Sequence, residues 1–179
     1  MMKLDRCTVA TFVTAIALLH SGAVAQTNEV QASKQLTASE IGTAPVLAFE
    51  GAKGVVFSDL VVHELLQRGV TLMERTKLAA LLRERELTLH DLIAGRVSPR
   101  IVHEVAGVDT LVFGSVTPIT VYVSGADSGT VSVASFRLVD VRSGRVLSSV
   151  SFNSNTEVLR KGKTYGTAAA MMVAKLVRK

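Results

Sequence analysis

The chain has 179 residues, enough for one ordinary domain, and its composition of 48% hydrophobic and 20% charged residues is typical of a globular protein. Only two Tyr, six Phe and no Trp are present, which disfavours nucleic-acid or sugar sites built on stacked aromatic rings. The net charge of +5 is mild, and it either serves solubility or attracts acidic partners.

The first residues have the organisation of a secretory signal peptide. A basic start, MMKLDR, precedes an apolar run from Cys7 to Leu19, and Ala23-Val24-Ala25 supplies small residues for cleavage before Gln26. The run is shorter than the about 20 residues that span a bilayer, although an uncleaved anchor is the alternative. We therefore expect a signal peptide over residues 1–25 and a periplasmic mature protein.

Cys7 is the only cysteine, and it lies inside the predicted signal. No lipobox of small residues precedes it, so no lipid anchor is predicted. The mature chain would have no thiol for a disulfide, a nucleophile or a cysteine-ligated metal. Peripheral association with the outer membrane stays open.

The mature chain begins with polar residues. Residues 26–43 have no sustained periodicity, which predicts a flexible N-terminal segment before a single domain over residues 44–179. The apolar run Pro45–Glu50 then predicts a buried strand.

Two helices separated by a strand come next. The first lies within Phe57–Gly69, with Ser58 as the predicted N-cap and Gly69 as the end. Val70–Arg75 predicts a strand, and Thr76–Glu86 predicts the second helix. The residues predicted by spacing to face inward are Leu60, Val61, Leu65 and Leu66 in the first helix and Leu78, Leu81 and Leu82 in the second.

Two short helical segments follow. In TLHDLIAG, Thr88 and Asp91 have the spacing of a capping box, and Gly95 is the predicted stop. In SPRIVHEVAG, Ser98-Pro99 predicts the helix start and Gly107 its end.

The second half changes to two-residue periodicity. Val108–Thr117 predicts a central strand, PITVYVSGADSGT a short strand with a turn, and TVSVASFRLVDV with VLSSVSFN a β-hairpin. Residues 162–179 predict a final helix. The predicted fold class is α/β, a single domain with a mixed β-sheet, in the order β-α-β-α-α-β and then an antiparallel β-hairpin, covered by helices and ending in a C-terminal helix.

Several residues in these segments form a pattern of fixed order and spacing. They are Gly69, Glu74-Arg75, Glu84, Gly107-Val108-Asp109, Gly114, Arg137, Asp140, Gly144 and Val146, with Ser143 where threonine is usual. This pattern resembles the CsgG family of curli secretion and its relatives, the FlgO-type flagellar proteins and the lipoprotein activators of penicillin-binding proteins. The resemblance covers about residues 44–178.

The resemblance implies an exported, non-enzymatic accessory protein of the bacterial cell envelope. Such a protein docks to envelope protein partners in the assembly, secretion or regulation of a surface structure, and analogy leaves a homo-oligomer open. Pro118–Gly129 is too short for two membrane-crossing strands of about 9–11 residues with a turn. We therefore expect the family's core domain without pore hairpins.

No catalytic, cofactor-binding or metal site is predicted. His63 and His103 each precede a glutamate, but Gln67 and Gly107 stand where a zinc-binding helix needs its second histidine. No G-x-S-x-G or phosphate-binding loop occurs. Glu74-Arg75 could belong to an active site at a strand end, but the favoured interpretation is an arginine that ties the strand end to neighbouring carbonyls or carboxylates.

Arg83 and Arg85 are the candidate partner-binding residues. They alternate with Glu84 and Glu86, and mixed signs do not make the one-signed surface that nucleic acid requires, so no nucleic-acid partner is expected. Arg85 falls where the leucine stripe would continue, so the helix either ends there or turns that side to solvent or a partner. The alternative function is a small periplasmic ligand-binding protein for a glycan or peptide fragment, and a hydrolase ranks last.

Overall fold

The computed structural model describes residues 30–122, 128–153 and 165–178, with the side chains of residues 119–122, 128–132 and 153 left undescribed. The helices and strands in chain order are β1 (Gln31–Ala32), α1 (Ala38–Ile41), β2 (Thr43–Pro45), α2 (Gly54–Gln67), β3 (Thr71–Met73), α3 (Arg75–Arg83), α4 (Leu89–Ile93), α5 (Pro99–Ala106), β4 (Thr110–Tyr122), β5 (Ser128–Asp140), β6 (Val146–Asn153) and α6 (Tyr165–Leu176).

The strands form a mixed sheet, as predicted. Four antiparallel strands have the order β1-β6-β5-β4, and β2 and β3 form a parallel pair. The chain after β2 runs alongside β4, where Val46 and Glu50 form parallel bridges to Val112 and Ser115. The Glu50 N–H also donates a 2.9 Å hydrogen bond to the Gly114 carbonyl, so the parallel pair is joined to the antiparallel sheet.

Two apolar clusters cover the sheet. Leu111 and Val112 are neighbours on β4 but belong to different clusters, so the clusters lie on opposite faces of the sheet. Helices α2 and α6 cover the first face, and α3, α4 and α5 cover part of the second. The buried helix residues are Phe57, Val61, Leu65, Met172 and Leu176 on the first face and Leu78, Leu82, Leu92 and Val102 on the second.

The predicted start of α2 is wrong. The helix begins at Gly54, and Ser58 lies inside it, where its buried hydroxyl donates a 2.7 Å hydrogen bond to the Val55 carbonyl. The helix can begin at Gly54 because the backbone there lies very close to Phe49, and a Cβ at position 54 would overlap the Phe49 carbonyl oxygen. A glycine there lets the preceding turn run directly into the helix.

The other helix ends follow the predictions more closely. Thr88 accepts a 3.1 Å hydrogen bond from the Asp91 N–H, and Ser98 accepts one of 3.4 Å from the Arg100 N–H. Gly107 ends α5 with φ +63°. The inward face of α2 is predicted less well. Leu66 was predicted to face the core, but its side chain is 54% exposed.

From Val30 onward, the N-terminal segment is not the flexible arm that was expected. Strand β1 pairs with β6, and the Leu36 N–H donates a 2.8 Å hydrogen bond to the Leu176 carbonyl. Leu36 and Ile41 are fully buried. Three buried apolar residues, with Val30 as the third, and backbone pairing to distant parts of the chain therefore hold this polar stretch against the domain.

Two strands differ from the predicted bounds. The buried run Pro45–Glu50 lies beside β4, but its regular strand is the earlier Thr43–Pro45. Strand β4 continues to Tyr122 and pairs with β5 as far as Ser128, so the short strand predicted after Thr117 is part of β4. Within residues 30–122, 128–153 and 165–178, no helix has the length and apolarity that a membrane span requires.

Candidate functional site

Arg83 and Arg85 lie at the end of α3, where the chain makes a tight turn. The Leu87 N–H donates to the Leu82 carbonyl and the Glu86 N–H to the Arg83 carbonyl, both at 3.0 Å. Glu86 has φ +59°, a left-handed conformation that usually requires glycine at such a helix end. We call residues 83–86 the charged turn.

The charged turn has four exposed side chains with no ionic partner in the described structure. Ion pairs occur elsewhere, for example between Arg96 and Asp91 and between Arg100 and Glu104. None involves a residue of the charged turn. Alternating charges are therefore presented to solvent from the end of a helix.

The helix that presents the charged turn is fixed firmly to the domain. Leu78 and Leu82 are completely buried on its inner side. At its start, the Arg75 guanidinium donates to the Val46 carbonyl at 3.3 Å and lies 3.2 Å from the Asp59 carboxylate. The favoured interpretation of Arg75, a tie from the strand end to a carbonyl and a carboxylate, is therefore confirmed.

Other residues of the sequence pattern also hold the fold. Asp109 accepts a 3.1 Å hydrogen bond from the Thr43 N–H and lies 3.4 Å from the Arg142 guanidinium. Asp140 accepts hydrogen bonds from the Ser143 hydroxyl and N–H at 2.6 and 2.7 Å. These bonds, the hydroxyl's first, hold the pKa of the Asp140 carboxyl below its ordinary value.

Among the described histidines, His103 makes a structural contact. The His103 Nδ1 lies 2.8 Å from the Val108 carbonyl, a contact that fixes the end of α5. Among the residues with described positions, no group of three histidine, aspartate or glutamate side chains is arranged to hold a metal ion.

A cleft on the second face of the sheet was not predicted from the sequence. Within the described residues, helices α3 to α5 leave part of this face uncovered, and the cleft there has a volume of about 610 Å³. We call it the serine cleft. Its lining includes Gln31, Ser33, Glu50, Ile93, Phe113, Ser115, Ser135, Arg137, Ser149 and Ser151.

Strand register explains why serines line the cleft. Ser151 pairs with Ser135, and Ser135 pairs with Ser115, so three hydroxyls cross adjacent strands in one row. Their neighbours Phe136 and Val150 are buried on the opposite face. The signal in the sequence was the alternation of serine with apolar residues on three separate strands.

Two charged residues border the serine cleft. The Arg137 guanidinium carbon lies 5.8 Å from the centroid of the Phe113 ring, within the range of a cation–π contact. Glu50 lies beside Ser115. Both charged side chains are exposed, and neither is in an ion pair with a described residue.

The chain is similar to several solved structures. The PelC dodecamer from Paraburkholderia phytofirmans is 18% identical, with a TM-score of 0.50 over 84% of this chain and 99% of that one. Lipoprotein GNA1162 from Neisseria meningitidis is 23% identical, with a TM-score of 0.46 over 67% and 91%. The LpoB C-terminal domain from Escherichia coli is 13% identical, with a TM-score of 0.49 over 66% and 93%.

No curated protein matches the chain. A family model described as the curli production assembly/transport component CsgG matches residues 25–174, which is most of the sequence. The chain therefore belongs to the CsgG family.

Proposed function

We propose that this protein is an exported, non-enzymatic accessory protein of the bacterial cell envelope. It acts by docking to envelope proteins in the assembly, secretion or regulation of a surface structure. Membership of a family described as an assembly and transport component is the observation that carries the proposal. The predicted signal peptide over residues 1–25 supports a periplasmic location, and peripheral contact with the outer membrane is compatible with that location.

The charged turn is the docking surface in this proposal. Its side chains are exposed and lack described ionic partners, while the leucines behind it are buried. A rigid helix end with alternating charges can select a partner whose charges alternate in the opposite order. No unpaired charge has to be buried when such a surface meets its complement.

Site-specific crosslinking tests the docking surface. A photo-reactive amino acid replaces Arg85 in one exported chain and Arg145, which is exposed on the β5–β6 turn, in a control chain. We expect a defined adduct with an envelope protein from position 85 only. Arg83→Glu in the same chain lowers the adduct yield about tenfold, because charge reversal at a docking residue is costly.

The control variant Arg145→Glu keeps the adduct yield, and all variants keep the thermal midpoint of the unmodified chain. If positions 85 and 145 give the same adducts, or if Arg83→Glu leaves the yield unchanged, α3 is ordinary scaffold.

Self-association is part of the proposal and is tested separately. The structure with 99% of its chain covered is that of a PelC dodecamer. Native mass spectrometry of this protein measures its own stoichiometry, and a single monomer mass over the micromolar range would contradict self-association.

The serine cleft favours a second candidate function, a small periplasmic protein that binds a glycan or peptide fragment. A volume of about 610 Å³ is within the usual range for small-molecule sites. Its hydroxyls can both donate and accept hydrogen bonds, as ligands rich in amide or hydroxyl groups require.

A further inference from the structure

We propose that the serine cleft recognises a ligand by its carboxylate, which Arg137 binds. This inference rests on the second candidate function and names the chemistry of its ligand. Four features of the cleft carry it: the state of Arg137, the hydroxyl row, the position of Glu50 and the shape of the uncovered sheet face.

Arg137 is prepared for an anion. Its guanidinium carbon lies 5.8 Å from the centroid of the Phe113 ring and has no described carboxylate partner. This cation–π contact restricts the side chain, so less conformational freedom is lost when a ligand binds. A planar guanidinium matches a carboxylate with two parallel hydrogen bonds, which a lysine cannot do.

The hydroxyl row accommodates the uncharged part of the ligand. Ser151, Ser135 and Ser115 lie on adjacent strands, which are spaced about 4.8 Å apart. The Ser115 and Ser135 hydroxyls are 3.3 Å apart, and Ser151 pairs through its backbone with Ser135 and Gln31, which leaves its side chain on the exposed face. An extended ligand lying across the strands therefore meets a hydroxyl at each step.

Glu50 limits the charge of the ligand. It lies beside Ser115 at the β4 end of the row, and Arg137 lies on β5, two residues from Ser135, between Phe113 of β4 and Ser149 of β6. A second anionic group near Glu50 would be repelled. The ligand accordingly has one carboxylate, which Arg137 binds, and is neutral or cationic where it lies near Glu50.

The serine cleft is partly open to solvent and is not an enclosed pocket. Ser149, Ser151 and Arg137 are all exposed. Solvent competes with the ligand at such a site, so we expect an affinity of about 0.1–1 mM. The carboxylate can come from the C-terminus of a short peptide or from an acidic sugar, which share this chemistry.

Matched probes test the carboxylate. Acetyl-trialanine and its C-terminal amide form one pair, and trigalacturonate and its methyl ester form the other. Each is titrated into the exported chain while backbone and arginine side-chain resonances are followed by NMR. We expect at least one acid to give saturable shifts in the cleft, with about tenfold weaker binding of its uncharged counterpart. The pair that responds identifies the source of the carboxylate.

Variants assign the effect to Arg137. Arg137→Ala weakens acid binding about tenfold, and Arg137→Lys recovers only part of it because the fork is lost. Arg145→Ala, the control, leaves binding unchanged. The thermal midpoint of each variant shows whether the domain is still folded.

Three results would overturn the inference. If the amide or ester binds as well as the acid, or if Arg137→Ala binds the acid normally, the cleft holds ligands without using their carboxylate and the second candidate function survives. If no probe gives a saturable shift up to about 10 mM, both fail. None of these results bears on docking at the charged turn.

Discussion

Gly114 allows the sharpest test of how the sequence pattern holds the fold. A Cβ at this position on β4 would lie 2.5 Å from atoms of the Phe49 ring. That ring is itself held between Phe57 and Phe136, with centroids 6.1 and 5.9 Å away, so it cannot move aside freely. The substitution Gly114→Ala therefore overpacks the first apolar cluster.

The sign of the change in the free energy of unfolding shows whether overpacking occurs. In a strand without close contacts, replacing glycine by alanine stabilises by about 0.5–1 kcal/mol, because glycine loses more backbone freedom on folding. Overpacking a core costs about 1–3 kcal/mol. Gly114→Ala should therefore lower the free energy of unfolding by about 1–2 kcal/mol in net terms.

A double-mutant cycle separates the clash from other causes. Phe49→Ala removes the ring atoms that would meet the new methyl group and costs about 3–5 kcal/mol alone. We expect the Gly114→Ala/Phe49→Ala chain to be at least about 1 kcal/mol more stable than the sum of the two single effects predicts. Urea unfolding followed by circular dichroism measures each free energy. Additive effects, or a stabilised Gly114→Ala chain, would refute the close-packing argument.

The remaining predictions concern two turns. Ser143→Ala should raise the pKa of Asp140 towards its ordinary value, since the hydroxyl hydrogen bond that stabilises the charged carboxylate is lost. The pKa of Asp140 is lower in the folded state than in the unfolded state, so the charged carboxylate stabilises the fold. This contribution is complete at pH values above the unfolded-state pKa of about 3.9, and it is lost as the pH falls through the folded-state pKa. NMR titration measures the pKa, and an unchanged value in the variant contradicts the assignment. Glu86→Gly should raise the free energy of unfolding by about 1 kcal/mol, because a non-glycine residue at φ +59° is strained. Urea unfolding measures this free energy. A destabilised variant would mean that contacts of the Glu86 side chain stabilise the fold by more than its backbone strain costs.

The sequence predicts those features that depend on neighbouring residues. The helix caps at Thr88 and Ser98 follow from the local competition between a hydroxyl and the backbone. The hairpin of β5 and β6 follows from two-residue alternation around a turn. Family membership was recognised because many such local features recur in a fixed order.

Features that depend on distant residues were missed. Ser58 satisfies the local rule for an N-cap, but the glycine turn against Phe49 starts the helix earlier, and Ser58 instead accepts a 3.3 Å hydrogen bond from Arg75. The N-terminal arm is held by strand β6 and the end of helix α6, more than a hundred positions away in the chain. Polarity alone could not show those contacts.

The two candidate surfaces also differ in how far the sequence predicts them, because one depends on neighbouring residues and the other on distant ones. The exposure of Arg83 and Arg85 follows from their place beyond the leucine stripe of a single helix. The serine cleft needs the register of four strands, and no single strand indicates it. In the sequence, Arg137 is marked only by its place in a hairpin that resembles the family.

Five of the six charged residues that carry the family resemblance divide into two groups, and the sixth, Glu74, accepts a 3.3 Å hydrogen bond from the Thr76 hydroxyl. Arg75, Asp109 and Asp140 are bound to backbone or side-chain partners that hold strand ends and turns. Glu84 and Arg137 are exposed and have no ionic partner in the described structure. One lies in the charged turn and the other in the serine cleft, so each candidate surface contains one patterned residue that the fold does not require. Substitution at these two positions should therefore affect binding with little effect on stability, whereas substitution at the other three should affect stability first.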